Sequence, residues 1–149
     1  MFKNILVPTD GSALSDKAAN LAIQIAKAMG AKITALHVVG GYYPIFASEG
    51  FKIPELPTLK KRFEEEEAAR ANKIVDAVKK SAQAASVACD AVVATSDAPY
   101  EAIISQATAA KCDLIVMASH GRRGLQAVLL GSETQKVLTY GKVPVLVCR

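Results

Sequence analysis

Short apolar runs alternate with stripes of helical period along this chain, and the alternation predicts strands joined by helices. Lys3 to Val7 is a β-branched, apolar stretch that ends in Pro8-Thr9-Asp10-Gly11, a first strand with Asp10 at its C-terminal end. Ser12 is then placed to cap a helix, with Asp16 in its first turn. Ala18, Leu21, Ala22, Ile25, Ala28 and Met29 recur at helical spacing until Gly30 stops the element. Lys32 to Val39 alternates and closes in Leu36-His37-Val38-Val39, a second strand. From Thr58 to Ala85 the positions Leu59, Phe63, Ala71, Ile74, Val75, Val78 and Ala82 trace one face of a long helix, while Glu66 with Arg70 and Asp76 with Lys80 are spaced to pair on the other. Asp90 to Thr95 reads as a third strand. Ser96-Asp97-Ala98-Pro99 opens a third helix with Ala102, Ile103, Gln106 and Ala109 on its buried side. Leu114 to Met117 is too short for a helix and too apolar for a loop, hence a buried parallel strand. Gly131 and Ser132 open a last helix continued by Val137 and Leu138, Gly141-Lys142 breaks it, and Val143 to Cys148 forms a fifth strand.

This order describes an α/β domain: an open, mainly parallel five-stranded sheet with helices on both faces. Pro144 has no N–H to give a sheet ladder, which puts the fifth strand at an edge. An apolar edge left uncovered invites a partner. Gly40 to Pro57 is the least patterned part and is expected to be a loop. Its Tyr42, Tyr43, Phe46 and Phe51 suit a lid, or a solvated or partner-facing loop that covers a neighbouring helix.

Composition narrows the class. A chain of 149 residues, 51% hydrophobic and 21% charged, has the size and balance of a single packed domain spanning 1–149. Its apolar runs fall short of the about 20 residues that a membrane helix needs. Met1-Phe-Lys-Asn lacks the order of a signal peptide, with Ile5-Leu-Val7 broken at once by Pro8, so a cytoplasmic protein is expected. Cys89, Cys112 and Cys148 lie far apart with no Cys-x-x-Cys pair and read as packing residues. The net charge of +4 does not make a nucleic-acid surface: Lys60-Lys-Arg62 runs directly into Glu64-Glu-Glu-Glu67, and no basic patch carries interleaved aromatics.

Candidate chemistry concentrates between Asp113 and Ser132. Ala118, Ser119, His120 and Gly121 follow the fourth strand at once, and nine residues separate Gly121 from Gly131 and Ser132. Small residues let backbone N–H groups approach an anion, and a helix N-terminus adds donors and partial positive charge. The same spacing also suits a tight strand-to-helix turn with glycines at positive φ and a capping serine. His37 and His120 are too isolated for a metal centre, although His120 is placed to donate to a phosphate or to shape the turn. There is no Ser/His/acid grouping, no Gly-x-Ser-x-Gly elbow and no Walker lysine, so no catalytic base or nucleophile is named. The carboxylate cluster of a phosphoacceptor domain is also missing, because the fourth strand ends in Ala118-Ser119.

Together with Asn4-Ile-Leu-Val-Pro-Thr-Asp10 and Val143-Pro-Val-Leu-Val-Cys148, this segment resembles the universal stress protein family. ATP-binding members of that family carry Gly-x-x-Gly, nine residues, then Gly-Ser or Gly-Thr. Ala118, Gly121, Gly131 and Ser132 occupy those positions, so alanine replaces the first glycine. The resemblance implies strand order 3-2-1-4-5 in an adenine nucleotide alpha hydrolase-like fold, and a homodimer through edge strand 143–148. Ligands of such sheets bind where the strand order reverses, here between strands one and four. By the same resemblance Pro8, Thr9 and Asp10 border the adenosine, and Val38 offers main-chain hydrogen bonds beside adenine. Met117 and Ala118 line the ribose and α-phosphate. The backbone of Ser119, His120, Gly121, Arg122, Arg123 and Gly124 wraps the phosphates, the two arginines adding charge compensation. Ser132, Glu133 and Thr134, following Gly131, meet the phosphates with first-turn N–H groups. Mg²⁺ or Mn²⁺ would be held mostly through the phosphates.

Two departures carry expectations of their own. Ala118 would be strained by about 1 kcal/mol if its position needs φ > 0, and Glu133 brings a negative charge to the phosphate end. The function implied is a nucleotide-dependent stress-response or signalling dimer with unidentified protein partners. A slow ATPase and a dimeric partner-binding module without nucleotide are the alternatives.

Overall fold

Strands β1 (Asn4–Pro8), β2 (Lys32–Val39), β3 (Cys89–Thr95), β4 (Leu114–Ala118) and β5 (Val145–Cys148) pair in parallel in the order β3-β2-β1-β4-β5. The computed structural model describes residues 1–41, 56–121 and 130–149. Helices α1 (Ala13–Met29), α2 (Leu56–Ala84), α3 (Pro99–Ala109) and α4 (Ser132–Tyr140) connect the strands. The expected topology is the observed one.

The sheet separates two apolar cores. Ile5, Val7, Ile33, Ala35, Leu114 and Val116 pack with α1 and with Val75, Val78 and Ala82 of α2. Their alternating neighbours Leu6, Leu36, Ile115 and Met117 pack with Ile103 of α3 and Val137 of α4. Successive strand side chains point to opposite faces, so a strand covered on both sides must be apolar at every position. The central strands β1 and β4 obey this rule, with Ile5, Leu6, Val7 and all of β4 buried. The edge strand β5 does not, and Leu146 is 38% exposed. Pro144 stands just before β5, where its missing N–H is immaterial and its carbonyl accepts from the Ile115 N–H at 2.9 Å. The fifth strand therefore begins at Val145, two residues later than expected.

Three expectations about the helices need correction. In α1 the Ser12 hydroxyl accepts the Ser15 N–H and Gly30 closes the helix at φ 65° as foreseen, but the buried face is rotated. Ala19, Ile23 and Ala26 join Ala18 and Ala22 in the core, while Leu21 is 38% exposed. The helix is apolar on more than one stripe, and it docks on alanines because they let its backbone approach the sheet. Helix α2 begins at Leu56, inside the stretch expected to be loop. Pro57 is no obstacle in a first turn, where an N–H has no intrahelical partner. The rest of that loop, 42–55, lies outside the described residues. Only the second half of α2 reaches the core, since Leu59 and Phe63 are 47% and 41% exposed. On its solvated face Arg70 pairs with Glu67 rather than Glu66, joined by Lys60–Glu64 and Lys61–Glu65. In α3 the buried positions are Ile103 and Ala107, with Ala109 exposed.

The cysteines are free thiols in or beside the core, and burial raises the pKa of each. Among the described residues no helix is long and apolar enough to cross a membrane.

Candidate functional site

Pairing between β1 and β4 covers Ile5 with Leu114 and Leu6 with Ile115. Beyond it one chain turns into α1 and the other heads toward α4, which opens a crevice at the C-terminal edge of the sheet.

The β1 side of this crevice is held by polar side chains. Thr9 continues the strand by giving its N–H to the Leu36 carbonyl at 2.8 Å. Its hydroxyl accepts the Gly11 N–H at 3.2 Å and shares a 3.1 Å hydrogen bond with the Ser15 hydroxyl. Gly11 takes φ 71°, a conformation that a side chain would strain. Asp10 accepts the Ser12 N–H on Oδ1 at 3.0 Å, so this carboxylate braces the turn while Ser12 caps the helix. The Thr9 carbonyl lies 2.7 Å from His37 Nδ1.

The β4 side is held by backbone and by small volume. The Ser119 N–H donates to the Cys148 carbonyl and the Gly131 N–H to the Ser119 carbonyl, each at 2.7 Å. The Thr134 hydroxyl donates to the Ala118 carbonyl at 3.0 Å. Ser119 Oγ and His120 Nδ1 lie 3.1 Å apart. Ala118 is the last residue of β4, opposite Cys148, and among the described residues only Ser86 and Lys111 combine a side chain with positive φ. The strain expected at Ala118 is therefore absent, because extended backbone accepts a Cβ.

The two motif glycines are needed for close approach rather than for positive φ. A Cβ on Gly121 would stand 2.7 Å from Asp10 Oδ2, so the carboxylate reaches across the crevice to the space that this glycine leaves. A Cβ on Gly131 would meet the His120 Cα at 3.1 Å and the Ser119 carbonyl oxygen at 3.2 Å. Gly131 is the N-cap of α4 at φ −59°, and Ser132 is the first helical residue, exposed rather than capping.

Glu133 has a structural partner that the sequence reading missed. Its Oε2 accepts the Tyr100 N–H at 2.9 Å, and its Oε1 pairs with Lys136 at 3.0 Å. Ala98, the N-cap of α3, supplies no side-chain bond, so Glu133 caps that helix from α4. The Lys136 ammonium also sits 5.1 Å from the Tyr100 ring centroid, and that ring lies 5.8 Å from Tyr140. A hydrogen bond to the Glu101 carboxylate raises the pKa of the Tyr100 phenol. The negative charge expected at the phosphate end is thus offset by Lys136 and a helix N-terminus.

Between these walls lies a cavity of about 240 Å³ with apolar lining from Pro8, Leu36, Val38, Ile103, Met117 and Ala118. It adjoins an outer cavity of about 680 Å³ reached by Gly131, Ser132, Asp97 and Gly40, and the two share Asp10, Val38, Pro99, His120, Gly121, Glu133 and Thr134. The outer volume is in the usual range of small-molecule sites. Of the expected residues, Pro8, Thr9, Asp10, Val38, Met117, Ala118, His120, Gly121, Gly131, Ser132, Glu133 and Thr134 line one cavity or both. Ser119 lines neither and is 5% exposed, tied into the backbone knot behind them. Arg122, Arg123 and Gly124 lie outside the described residues. Ser15, Leu36, His37 and Ile103 were missed in the inner cavity, Gly40, Ser96 and Asp97 in the outer one, and Pro99 in both. Pro99 carried a usable signal, since in a parallel sheet every helix following a strand starts at the same edge. Among the described residues no group of three or more His, Cys, Asp or Glu is arranged to hold a metal ion.

Comparison with known proteins gives a consistent result. The sequence model of the Universal stress protein family matches residues 1–149. The chain is 34% identical to a universal stress protein of Thermus aquaticus, covering 100% of each chain. It is equally 34% identical to universal stress protein MJ0531 of Methanocaldococcus jannaschii, covering 100% of this chain and 83% of that one. Among solved structures it is similar to the hypothetical protein MJ0577 at TM-score 0.82 and 26% identity, covering 99% and 96% of the two chains. A universal stress protein in complex with cAMP superimposes at TM-score 0.68 and 26% identity, covering 98% and 95%.

Proposed function

The chain belongs to the universal stress protein family, and from that premise we propose that its crevice binds ATP and that the protein acts as a nucleotide-dependent dimer in a stress response. The observation that carries the reading is the pair of adjoining cavities, one walled by apolar side chains and the other entered by the first turn of α4. A purine ring suits the first. The unpartnered N–H groups of a helix start suit the phosphates in the second, with the partial positive charge of the terminus behind them. The relative in complex with cAMP supports the adenine half of the assignment.

Binding of Mg²⁺ or Mn²⁺ then falls mostly to the phosphate oxygens. The dimer is assigned to β5, whose Leu146 is 38% exposed at the sheet edge. No base or nucleophile is assigned, so hydrolysis is expected to be slow.

Calorimetric titration of nucleotide-stripped protein with Mg·ATP tests the reading, with Ser132→Glu as the control. Ser132 is exposed at the start of α4, so the substitution adds charge at the phosphate end with little effect on packing. The expected outcome is binding that Ser132→Glu weakens by roughly tenfold or more, with the dimer and the melting temperature unchanged. No heat of binding by the unsubstituted protein at millimolar ATP would transfer the function to a nucleotide-free, partner-binding dimer. Fast multiple-turnover release of ADP would replace the switch with an ATPase.

A further inference from the structure

His37 occupies a place in the crevice that none of the proposed nucleotide contacts uses. It is half-buried near the end of β2, lines the inner cavity, and sets Nδ1 2.7 Å from the Thr9 carbonyl oxygen. A carbonyl can only accept, so Nδ1 carries the proton in this contact, whichever state Nε2 adopts.

The carbonyl that His37 holds is half of the Thr9–Asp10 peptide group. Register pairing of β1 with β2 ends at Pro8 and Leu36, and Thr9 follows with its N–H on the Leu36 carbonyl at 2.8 Å. Past that point the Thr9 carbonyl has left the ladder, and the imidazole of His37 takes over as its donor. Because a peptide group is planar, fixing the carbonyl also fixes the direction in which the chain enters Asp10. Asp10 needs that direction: its Oδ1 must meet the Ser12 N–H at 3.0 Å while its Oδ2 fits against Gly121 across the crevice. A rotation of the plane would break both fits at once.

We propose that His37 is a positioning residue for the nucleotide site, acting through Nδ1–H and the Thr9–Asp10 peptide plane to place the Asp10 carboxylate. The inference rests on the reading of the crevice as a nucleotide site. Its essential atom is Nδ1, and substitutions can separate the two ring nitrogens. Asparagine puts an amide N–H near the position of Nδ1, glutamine puts one near Nε2, and phenylalanine keeps the ring volume with no donor.

The test measures Mg·ATP affinity by calorimetry for His37→Asn, His37→Gln and His37→Phe, and for His37→Phe combined with Asp10→Asn. The expected pattern is affinity within about threefold of the parent for His37→Asn and a loss of roughly tenfold for the other two. On the Asp10→Asn background, His37→Phe should add little, because both changes act on one group. Affinity retained by His37→Gln and lost by His37→Asn would overturn the proposal in favour of direct ligand contact through Nε2, and additive losses would also overturn it. A second readout needs no nucleotide. In amide-resolved NMR spectra of the ligand-free protein, the Asp10 N–H resonance should move in His37→Phe and return toward its parent position in His37→Asn. An unmoved resonance refutes the positioning role by itself, and absence of ATP binding alongside the expected shifts refutes only the nucleotide reading.

Discussion

The two strand ends that face each other across the crevice are built by different means. At the end of β1, side chains hold the turn: Thr9 bonds to Ser15 and Gly11, Asp10 to Ser12, and His37 to the Thr9 carbonyl. At the end of β4 backbone bonds carry most of the turn, with Ser119 between Cys148 and Gly131 and one side-chain bond from Thr134 to the Ala118 carbonyl, and the fit depends on the side chain that Gly131 lacks. Polar contacts of the first kind can be lost with local consequences, whereas close packing of backbone on backbone has nowhere to relax. Substitutions on the β4 side should therefore cost fold stability, and those on the β1 side should cost ligand geometry.

Gly131→Ala is expected to give the largest effect on stability. Its Cβ would stand 3.1 to 3.3 Å from His120 and Ser119 atoms, most of them backbone, so α4 must shift away from the β4 end. The expected loss is about 1–3 kcal/mol, as for overpacking elsewhere in protein cores, read from denaturant unfolding of parent and variant. An unfolding midpoint equal to the parent's would mean that α4 moves freely and that the two sides do not differ in kind.

Gly121→Ala probes the boundary between the two sides. Here the added Cβ meets only a side-chain tip, Asp10 Oδ2 at 2.7 Å, so the carboxylate can swing away. Stability should fall by no more than about 1 kcal/mol, the worth of the Asp10–Ser12 hydrogen bond. ATP affinity should fall roughly tenfold as the carboxylate leaves its place. A variant that loses stability and keeps affinity would reverse the comparison.

Much of this architecture was legible in the sequence because burial leaves a periodic trace. Ile5 to Val7 and Leu114 to Met117 are apolar at every position because both faces of the central sheet are covered, and Gly30 marks a left-handed helix end. The strand order came from family resemblance, since local patterns carry no information about which strands neighbour one another. What escaped was set by pairs distant in sequence. Leu21 faces solvent because α1 docks on its alanines, a choice made by the sheet beneath it. Glu133 caps α3 from α4, and Asp10 fits against Gly121, each through a contact spanning tens of residues. His37 stood in view in the second strand, but its role depends on the Thr9 carbonyl beside it and on no motif of its own.

Ala118→Gly restores the family's first motif glycine and should have the smallest effect of the three. Ala118 ends β4 opposite Cys148, is 8% exposed and avoids positive φ, so a glycine there relieves no strain. It removes a packed methyl and loosens a strand end, which together should lower stability by about 0.5–1 kcal/mol. ATP affinity should stay within about twofold, because this position contributes wall to the cavity and its carbonyl remains tied to Thr134. A rise in affinity of tenfold or more would show instead that the alanine methyl occupies ligand space. The motif glycine would then be serving contact with the nucleotide, and the β4 side would join the β1 side in setting ligand geometry.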